Sequence, residues 1–421
     1  MDFDSALELI AGIDGSGADL GERSPVAPDF PIAEYRRRYA RLVALMDEDG
    51  LEALVITQEE GIRYLSGYNS VVWAVGRWLP TVLVATRDPR QALLIGSIFD
   101  AGCAAGTAWV GNLRPYNDMD EISGAVFDHL SEAGIDGAAV GFELGRGSFQ
   151  SLPYFLVQQL FTRLDGPPRD ASRLLSTVRM LKSPAEIERQ RRSVGAAVAG
   201  YRAGLEAARP GMSEKEIVAI IAAQMFRSGA TAGTRPVFVN SVSGRERYPL
   251  VDTPASDRRL ADGDIVFIDG GAATDGYVSD ILRLIGVGLL RPADRHFAEV
   301  AAAATAAMTM ALRPGLRVSE LFDVGAGTVA RELPGEEVGV IAGHGIGLEL
   351  WERPFLRRHA DPADDVTIRA GMVLCVEPII APAHPEGGLA GVFVFEQQVL
   401  VTDAGCEILS GDLPAQLWEV G

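Results

Sequence analysis

Cysteine is scarce in this chain: Cys103, Cys375 and Cys406 are the only three among 421 residues. They stand far apart and have no metal-type spacing. This excludes a disulfide framework and a cysteine-based zinc module, and leaves reduced thiols in a cytoplasmic protein. Positive charge is also short. Lys and Arg total 38 against 57 Asp and Glu, a formal net charge of −19. Such a surface repels polyanions and argues against a nucleic-acid or anionic-membrane partner. No uninterrupted apolar run approaches the ~18–20 residues of a membrane span. The opening MDFDSALELI is acidic where a secretory leader starts basic. Histidine occurs five times.

The remaining composition predicts a folded chain. Apolar residues make up 48% of it, and its length accommodates two or more domains. Residues 1–30, rich in Gly, Asp, Ser and Pro, read as a loose lead-in. From residue 31 to 175 an amphipathic helix (31–50) precedes strand runs at Leu51–Thr57, Leu79–Thr86, Gln91–Gly96 and Ala138–Glu143. Helical stretches such as Glu121–Ala133 alternate with them, the pattern of a small α/β domain. Leu174–Lys182 reads as a basic connector, and a second domain fills 176–421. It opens with a helix at Glu186–Arg209, broken by Pro210-Gly211. A capping box, Ser213 with Glu216, starts the next helix.

The second domain is organised around GDIVFIDGGAATDGYVSD, Gly263–Asp280. A β-branched and aromatic run ends on Asp269. Gly270, Gly271, Asp275 and Gly276 supply turn chemistry, and the chain returns to Asp280. Two carboxylates brought together on neighbouring strands repel unless a cation lies between them. Taken alone, Asp beside Gly is ordinary turn chemistry. The pattern, however, recurs. Arg209–Glu214 (RPGMSE) matches Arg313–Glu320 (RPGLRVSE), and Gly263–Asp269 (GDIVFID) matches Gly371–Glu377 (GMVLCVE), the second match keeping one offset at both of its ends. Each half offers helix, Arg-Pro-Gly turn, helix and a strand ending in a carboxylate. Each also has a second carboxylate on a later strand, Asp280 and then Glu396. An internal duplication of this kind focuses four carboxylates on a pseudo-two-fold axis.

His344, in HGIGLE, joins them. A lone histidine is usually a core or surface residue, but the glycines here allow close backbone approach. Four carboxylates and an imidazole suit Mn²⁺ or Mg²⁺ first, with Zn²⁺, Co²⁺ and Fe²⁺ also compatible. The set exceeds the needs of one ion. Two divalent ions sharing a water and polarising a carbonyl would use all of it.

These residues resemble the pita-bread metallopeptidase superfamily: aminopeptidase P, prolidase, methionine aminopeptidase and the metal-free creatinase. The similarity covers roughly residues 31–412 and is most specific in LKSPAEIE, RPGMSEKEI, IDGGAATDGYVSD, GHGIGLE and VLCVEP. It implies an α+β pita-bread catalytic domain with an internal pseudo-two-fold duplication, preceded by a smaller creatinase-type α/β domain. All five ligand positions match. By that resemblance Asp269 holds one metal and His344 with Glu377 the other, Asp280 and Glu396 bridge, and Glu377 handles the proton of the attacking water. A homodimer is implied, in which a partner's small domain closes the site through the segment bearing Tyr68, Trp73 and Trp78. Ordinary interdomain packing is the plainer use of those aromatics.

The departures are specific. The peptidases carry a histidine upstream of the hairpin strand, where this chain has Asp252. They carry another in a His-Glu-x-Pro, where this chain has Trp351-Glu352-Arg353-Pro354. An arginine before the last glutamate is replaced by Val394. The metal set is complete, while the substrate shell is rebuilt. Asp252, Glu349, Glu352 and Tyr248 are the acid–base candidates beside Glu377. Trp351, Arg235, Arg247, Tyr248 and Trp73 are the candidates for contacting substrate. Trp351 also reads as a packing wall, and the two arginines read more plainly as solvated loop charges. An aromatic face beside acids suits a cationic substrate group. His384 is a candidate replacement for a missing histidine, and His129, His296 and His359 have no spacing that recruits them. Three functions follow. One is a dinuclear hydrolase of a C–N bond in an Xaa-Pro dipeptide or small amide. Another is a lyase like the superfamily's dimethylsulfoniopropionate lyases. The third is a binding protein on a degenerate scaffold, against which the complete ligand set argues.

Overall fold

The structure is a computed structural model. It describes the chain except residues 22–23, 76–78, 146–150, 232–236, 360 and 384–389. Two compact units divide it, Met1–Arg179 and Met180–Gly421.

The first unit begins with α1 (Phe3–Ala11), within the segment expected to be a loose lead-in. Asp2 caps it by accepting from Ser5 N at 2.8 Å, and Phe3, Ala6, Leu7 and Ile10 are buried. That spacing of three and four residues is a helical stripe, and it docks the segment. The helices α2 (Ile32–Glu48), α3 (Glu59–Ser66), α4 (Val72–Val75), α5 (Ala101–Thr107), α6 (Glu121–Glu132), α7 (Tyr154–Thr162) and α8 (Ser172–Met180) follow. They accompany six strands: β1 (Ala53–Ile56), β2 (Val82–Thr86), β3 (Leu93–Ser97), β4 (Asn112–Tyr116), β5 (Val140–Phe142) and β6 (Arg169–Asp170). The sheet order is β4-β3-β2-β1-β5-β6. β1–β2 and β2–β3 are antiparallel and the other pairs parallel. β1 and β2 are buried at every position, so helices cover both faces. Most of the expected basic connector is α8, whose Leu174, Leu175 and Val178 are buried.

The second unit shows the duplication as architecture. In its first half, α9 (Pro184–Ala207) starts at a Ser183/Glu186 capping box and α10 (Glu214–Arg227) at the Ser213/Glu216 box. Strands β7 (Phe238–Ser243), β8 (Ile265–Gly271), β9 (Ala273–Thr274), β10 (Tyr277–Val278) and β11 (Ile281–Val287) follow. In the second half, α11 (Pro292–Ala311) and α12 (Val318–Glu332) precede β12 (Gly343–Gly345), β13 (Glu352–Phe355), β14 (Val373–Val376), β15 (Gln397–Thr402) and β16 (Gly405–Ile408). The last strand, β17 (Trp418–Val420), joins the first sheet beside β11. The sheets run β17-β11-β8-β7 and β13-β12-β14-β15-β16. In each, the strand leading to the first carboxylate lies between two antiparallel neighbours.

Strand periodicity decides where the acids point. Val266 and Ile268 of β8 pack with Val194, Tyr201 and Ile221 of α9 and α10. Ile265 and Phe267 pack the other way, with Ala301 and Ala304 of α11 and with Phe393 and Phe395 from the second half. Asp269 continues this second series. In β14, Val373 and Cys375 pack against Ala273 and Val278 of the first half, and Glu377 follows in the same series. The two acid-bearing rows therefore face each other.

Candidate metal centre

Asp269 and Asp280 stand at the paired ends of β8 and β11, whose register sets Ile281 against Gly270 and Leu282 against Asp269. Between the strands, β9 and β10 form a tight hairpin around Asp275 and Gly276, both at positive φ (50° and 82°). That is the two-residue turn chemistry visible in the sequence. One residue beyond the Val376↔Gln397 pair of β14 and β15 lie Glu377 and Glu396. Glu377 N donates to Ala342 O at 2.9 Å and Glu396 N to Leu282 O at 3.3 Å, so the second bond ties the two sheets together at the site. His344 on β12 is the direct cross-strand partner of Cys375. Gly343 permits this approach, since a Cβ there would lie 2.1 Å from Cys375 O.

The expected ligands converge. Ligand atoms of Asp269, Asp280 and Glu396 lie within 4.8 Å of one another, and so do those of His344, Cys375 and Glu396. His344 Nε2 is 3.5 Å from Glu377 Oε1 and 3.8 Å from Asp280 Oδ2. His344 Nδ1 faces Gly345 O at 2.9 Å. A carbonyl only accepts, so Nδ1 carries the proton and Nε2 presents its lone pair to the acids.

The electrostatics are those expected of a site that binds a cation. Burial, with Asp252 next, pushes Asp269 up to about 7. Burial and Asp269 push Glu377 up to about 8. Asp280 and Glu396 are raised well above the ordinary carboxylate range by burial and by the acids around them. Burial lowers His344 to about 4, leaving a neutral imidazole. His344 Nε2 and Glu396 Oε1 are buried without any hydrogen-bond partner. Orphaned buried polar atoms are costly, and a shared divalent ion would satisfy both. The donor set and these orphans fit a divalent metal.

Several supports carry no sequence motif. Gln398 Oε1 accepts from Asp280 N at 3.1 Å, and Gln398 Nε2 donates to Gln190 Oε1 of α9 at 2.6 Å. Buried Arg283 donates to Glu396 O at 2.5 Å and to Gln397 Oε1 at 3.1 Å. Tyr201 of α9 donates to the carbonyls of Ile281 and Gly270 beneath the aspartates. These partners come from scattered positions, and glutamine or buried arginine has no spacing that flags it.

The remaining candidates are placed as follows. Asn240 is the cross-strand partner of Asp269 on β7, and its Nδ2 donates to Val251 O and Thr253 O, each at 2.8 Å. This holds exposed Asp252 close enough to Asp269 to raise its carboxyl. Arg247 Nη1 donates to buried Glu214 Oε1 at 2.6 Å and to Ser256 Oγ at 3.0 Å. The Tyr248 hydroxyl accepts from Ile265 N within the core. Both residues anchor the loop bearing Asp252 and have these partners within the fold. Glu352 accepts from Lys182 Nζ at 2.8 Å and from the amides of Leu348 and Glu349 at 3.0 and 3.2 Å, which binds it into the glycine-rich loop. Trp351 is 67% exposed, its ring 6.2 Å from that of His344. Trp73 belongs to the first unit, is buried, and meets Tyr68 edge to face. Arg235, Trp78 and His384 lie outside the described residues.

Comparison with known proteins gives the family. Residues 188–403 match the model of metallopeptidase family M24, and residues 38–181 match the creatinase/prolidase N-terminal domain. The chain belongs to metallopeptidase family M24, with the pita-bread catalytic fold behind a creatinase-type domain, and it is a metal-dependent hydrolase. It is 27% identical to a Xaa-Pro dipeptidase of Pyrococcus horikoshii over 88% of this chain and 95% of that protein. A Xaa-Pro dipeptidase structure from Bacillus anthracis superposes with a TM-score of 0.76 at 25% identity, covering 91% of this chain and 99% of that one. Dipeptidase PepE from Mycobacterium ulcerans gives 0.77 at 26% identity, with 93% and 99% covered. Among the described residues no helix is long and apolar enough to cross a membrane.

Proposed function

We propose that this chain is a cytoplasmic, homodimeric hydrolase with two divalent ions. Its substrate would carry a scissile C–N bond, in a dipeptide of Xaa-Pro type or a small amide. The observation that carries this reading is the pair of overlapping ligand groups sharing Glu396, with two buried polar atoms left unpaired between them. Asp269 would serve one ion, His344 and Glu377 the other, and Asp280 and Glu396 both. By donor softness Mn²⁺ comes first among the oxygen-preferring ions. Bound ions would supply Lewis acidity and lower the pKa of water toward neutrality.

The residues have distinct tasks in this reading. Glu377 is the most open of the ligands around His344, its side chain 17% exposed against 9% for Asp280, so it is the group to hold and release a proton at the substrate face. Trp351 offers an aromatic wall beside His344, and Asp252 adds a negative charge at the rim. A substrate with a cationic amino end gains from both, by about 0.5–2 kcal/mol for the aromatic face. The names of the relatives reported above point to Xaa-Pro dipeptides, while Asp252 and Trp351 depart from the family histidines. The test is turnover by metal-reconstituted protein of Xaa-Pro dipeptides, small amides and dimethylsulfoniopropionate, with Asp280→Ala as control. Hydrolysis of the first or second, lost in the control, is expected. Elimination from dimethylsulfoniopropionate alone would move the assignment to a lyase.

A further inference from the structure

We propose that Cys375 is a ligand of the metal ion held by His344. That side of the centre then becomes a mixed nitrogen, sulfur and oxygen site that favours Zn²⁺ or Co²⁺ over Mn²⁺. This rests on the two-ion reading above and concerns which side chains complete it.

Cys375 and His344 are direct partners across β14 and β12. Directly opposed residues of an antiparallel pair project from the same face with Cβ atoms about 4.5–5.5 Å apart. Glu377 continues the face two residues on, and Glu396 enters it from the β15 side. The Cys375 sulfur lies within 4.8 Å of the ligand atoms of His344 and Glu396 and is completely buried. Both neighbours bring an atom that lacks a partner, His344 Nε2 and Glu396 Oε1, each in a side chain more than nine-tenths buried. A ring nitrogen of His344, the sulfur and a carboxylate oxygen of Glu396 thus lie within 4.8 Å of one another.

The Cys375 thiol donates to the Glu396 carboxylate itself, whereas the other two cysteines meet backbone carbonyls. Cys103 Sγ donates to Asn69 O and Cys406 Sγ to Thr309 O, both backbone carbonyls outside the centre. A buried cysteine is often only a small apolar side chain, and Cys375 does pack against Ala273 and Val278. That use does not place it among three acids and an imidazole. Thiolate ligands select softer ions, and Zn²⁺ and Co²⁺ stand above Mn²⁺ in affinity for nitrogen and sulfur donors. On ligation the S–H bond breaks, sulfur keeps the electron pair for the metal, and the proton passes to the buffer.

Cobalt tests the proposal, because it reports occupancy and sulfur ligation separately. Wild type and Cys375→Ser, stripped and reloaded with Co²⁺, are compared by absorption. Wild type is expected to show weak d–d bands together with an intense near-ultraviolet sulfur-to-cobalt band. Cys375→Ser is expected to keep the d–d bands and lose the charge-transfer band. Its preference for Zn²⁺ over Mn²⁺ in competition dialysis should fall by about tenfold. The wild-type band, unchanged in a Cys103→Ser/Cys406→Ser variant, carries the assignment even where Cys375→Ser fails to fold. Wild-type d–d bands without charge transfer would overturn the sulfur ligand and leave the carboxylate–imidazole centre standing. A charge-transfer band that survives Cys375→Ser would overturn it too. Failure of wild type to retain cobalt would overturn both this proposal and the two-ion reading.

Discussion

The two halves of the catalytic unit share a scaffold and differ in what they hang on it. Each gives two helices joined at an Arg-Pro-Gly turn and a carboxylate at the end of a central strand. The first half brings Asp269 and Asp280, oxygen donors only, with Asp252 held above them by Asn240. The second brings Glu396 beside an imidazole and a thiol, with Glu377 3.5 Å from the same imidazole. Duplication fixed the positions, and side-chain choice then made the halves chemically unequal. Glu396 crosses the divide, since it belongs to both side-chain clusters that could hold a metal ion.

The largest expected effect breaks that shared point. Glu396→Ala should reduce hydrolysis to background and remove bound metal from both halves. His344→Ala should also abolish hydrolysis, yet retain the ion of the Asp269 side. Elemental analysis of the two purified variants decides this, and equal metal content in both would remove the distinction between halves.

A second test uses pH. In the metal-free protein Asp269 is raised to about 7 and Glu377 to about 8. Unfolded carboxyls titrate near pH 4. Between these limits the folded state holds more protons than the unfolded one, so stability is full below about pH 4 and falls as pH rises toward 8. His344, lowered to about 4, acts oppositely between about pH 6.5 and 4, as one group against several. Melting of the metal-free protein should drop by several degrees from about pH 5 to about pH 8, and saturating metal should flatten the curve. A melting temperature that climbs across this range would contradict the raised carboxyls.

A smaller effect sharpens the support of the first half. Gln398→Ala removes the acceptor for Asp280 N and should weaken metal binding about 10–100-fold without unfolding the protein, as read by titration with a chelator competitor. Smallest is Asp252→Asn. Loss of its charge beside Asp269 should raise KM for substrates with a free amino end by a few-fold and leave kcat nearly unchanged. An unaltered KM would show that Asp252 does not meet the substrate.

Legibility in the sequence followed the reach of each signal. The five candidate metal-binding side chains, the Ser213/Glu216 capping box and the hairpin were readable because each stands in or beside a short contiguous motif, whereas the Ser183/Glu186 box emerged only in the structure. The helix at Phe3–Ala11 was obscured by the Gly- and Pro-rich residues after it, although its apolar spacing was there to read. β7 was hidden in a glycine- and threonine-rich stretch, and with it the role of Asn240. Arg247 looked like a loop charge because Glu214, its partner, lies on the first turn of a distant helix. Glu352 looked like a free base because Lys182 stands 170 positions away. Partners so far apart along the chain are set by packing, and no local periodicity encodes them.

The crowding of acids around Glu396 also makes metal uptake an exchange reaction. Carboxyls forced together in a largely buried cluster carry hydrogen ions in the metal-free protein, and an incoming cation expels them. The heat observed on loading this protein will therefore change with the ionisation enthalpy of the buffer that receives them. A mild acidification of the surroundings will favour release of the ions it needs.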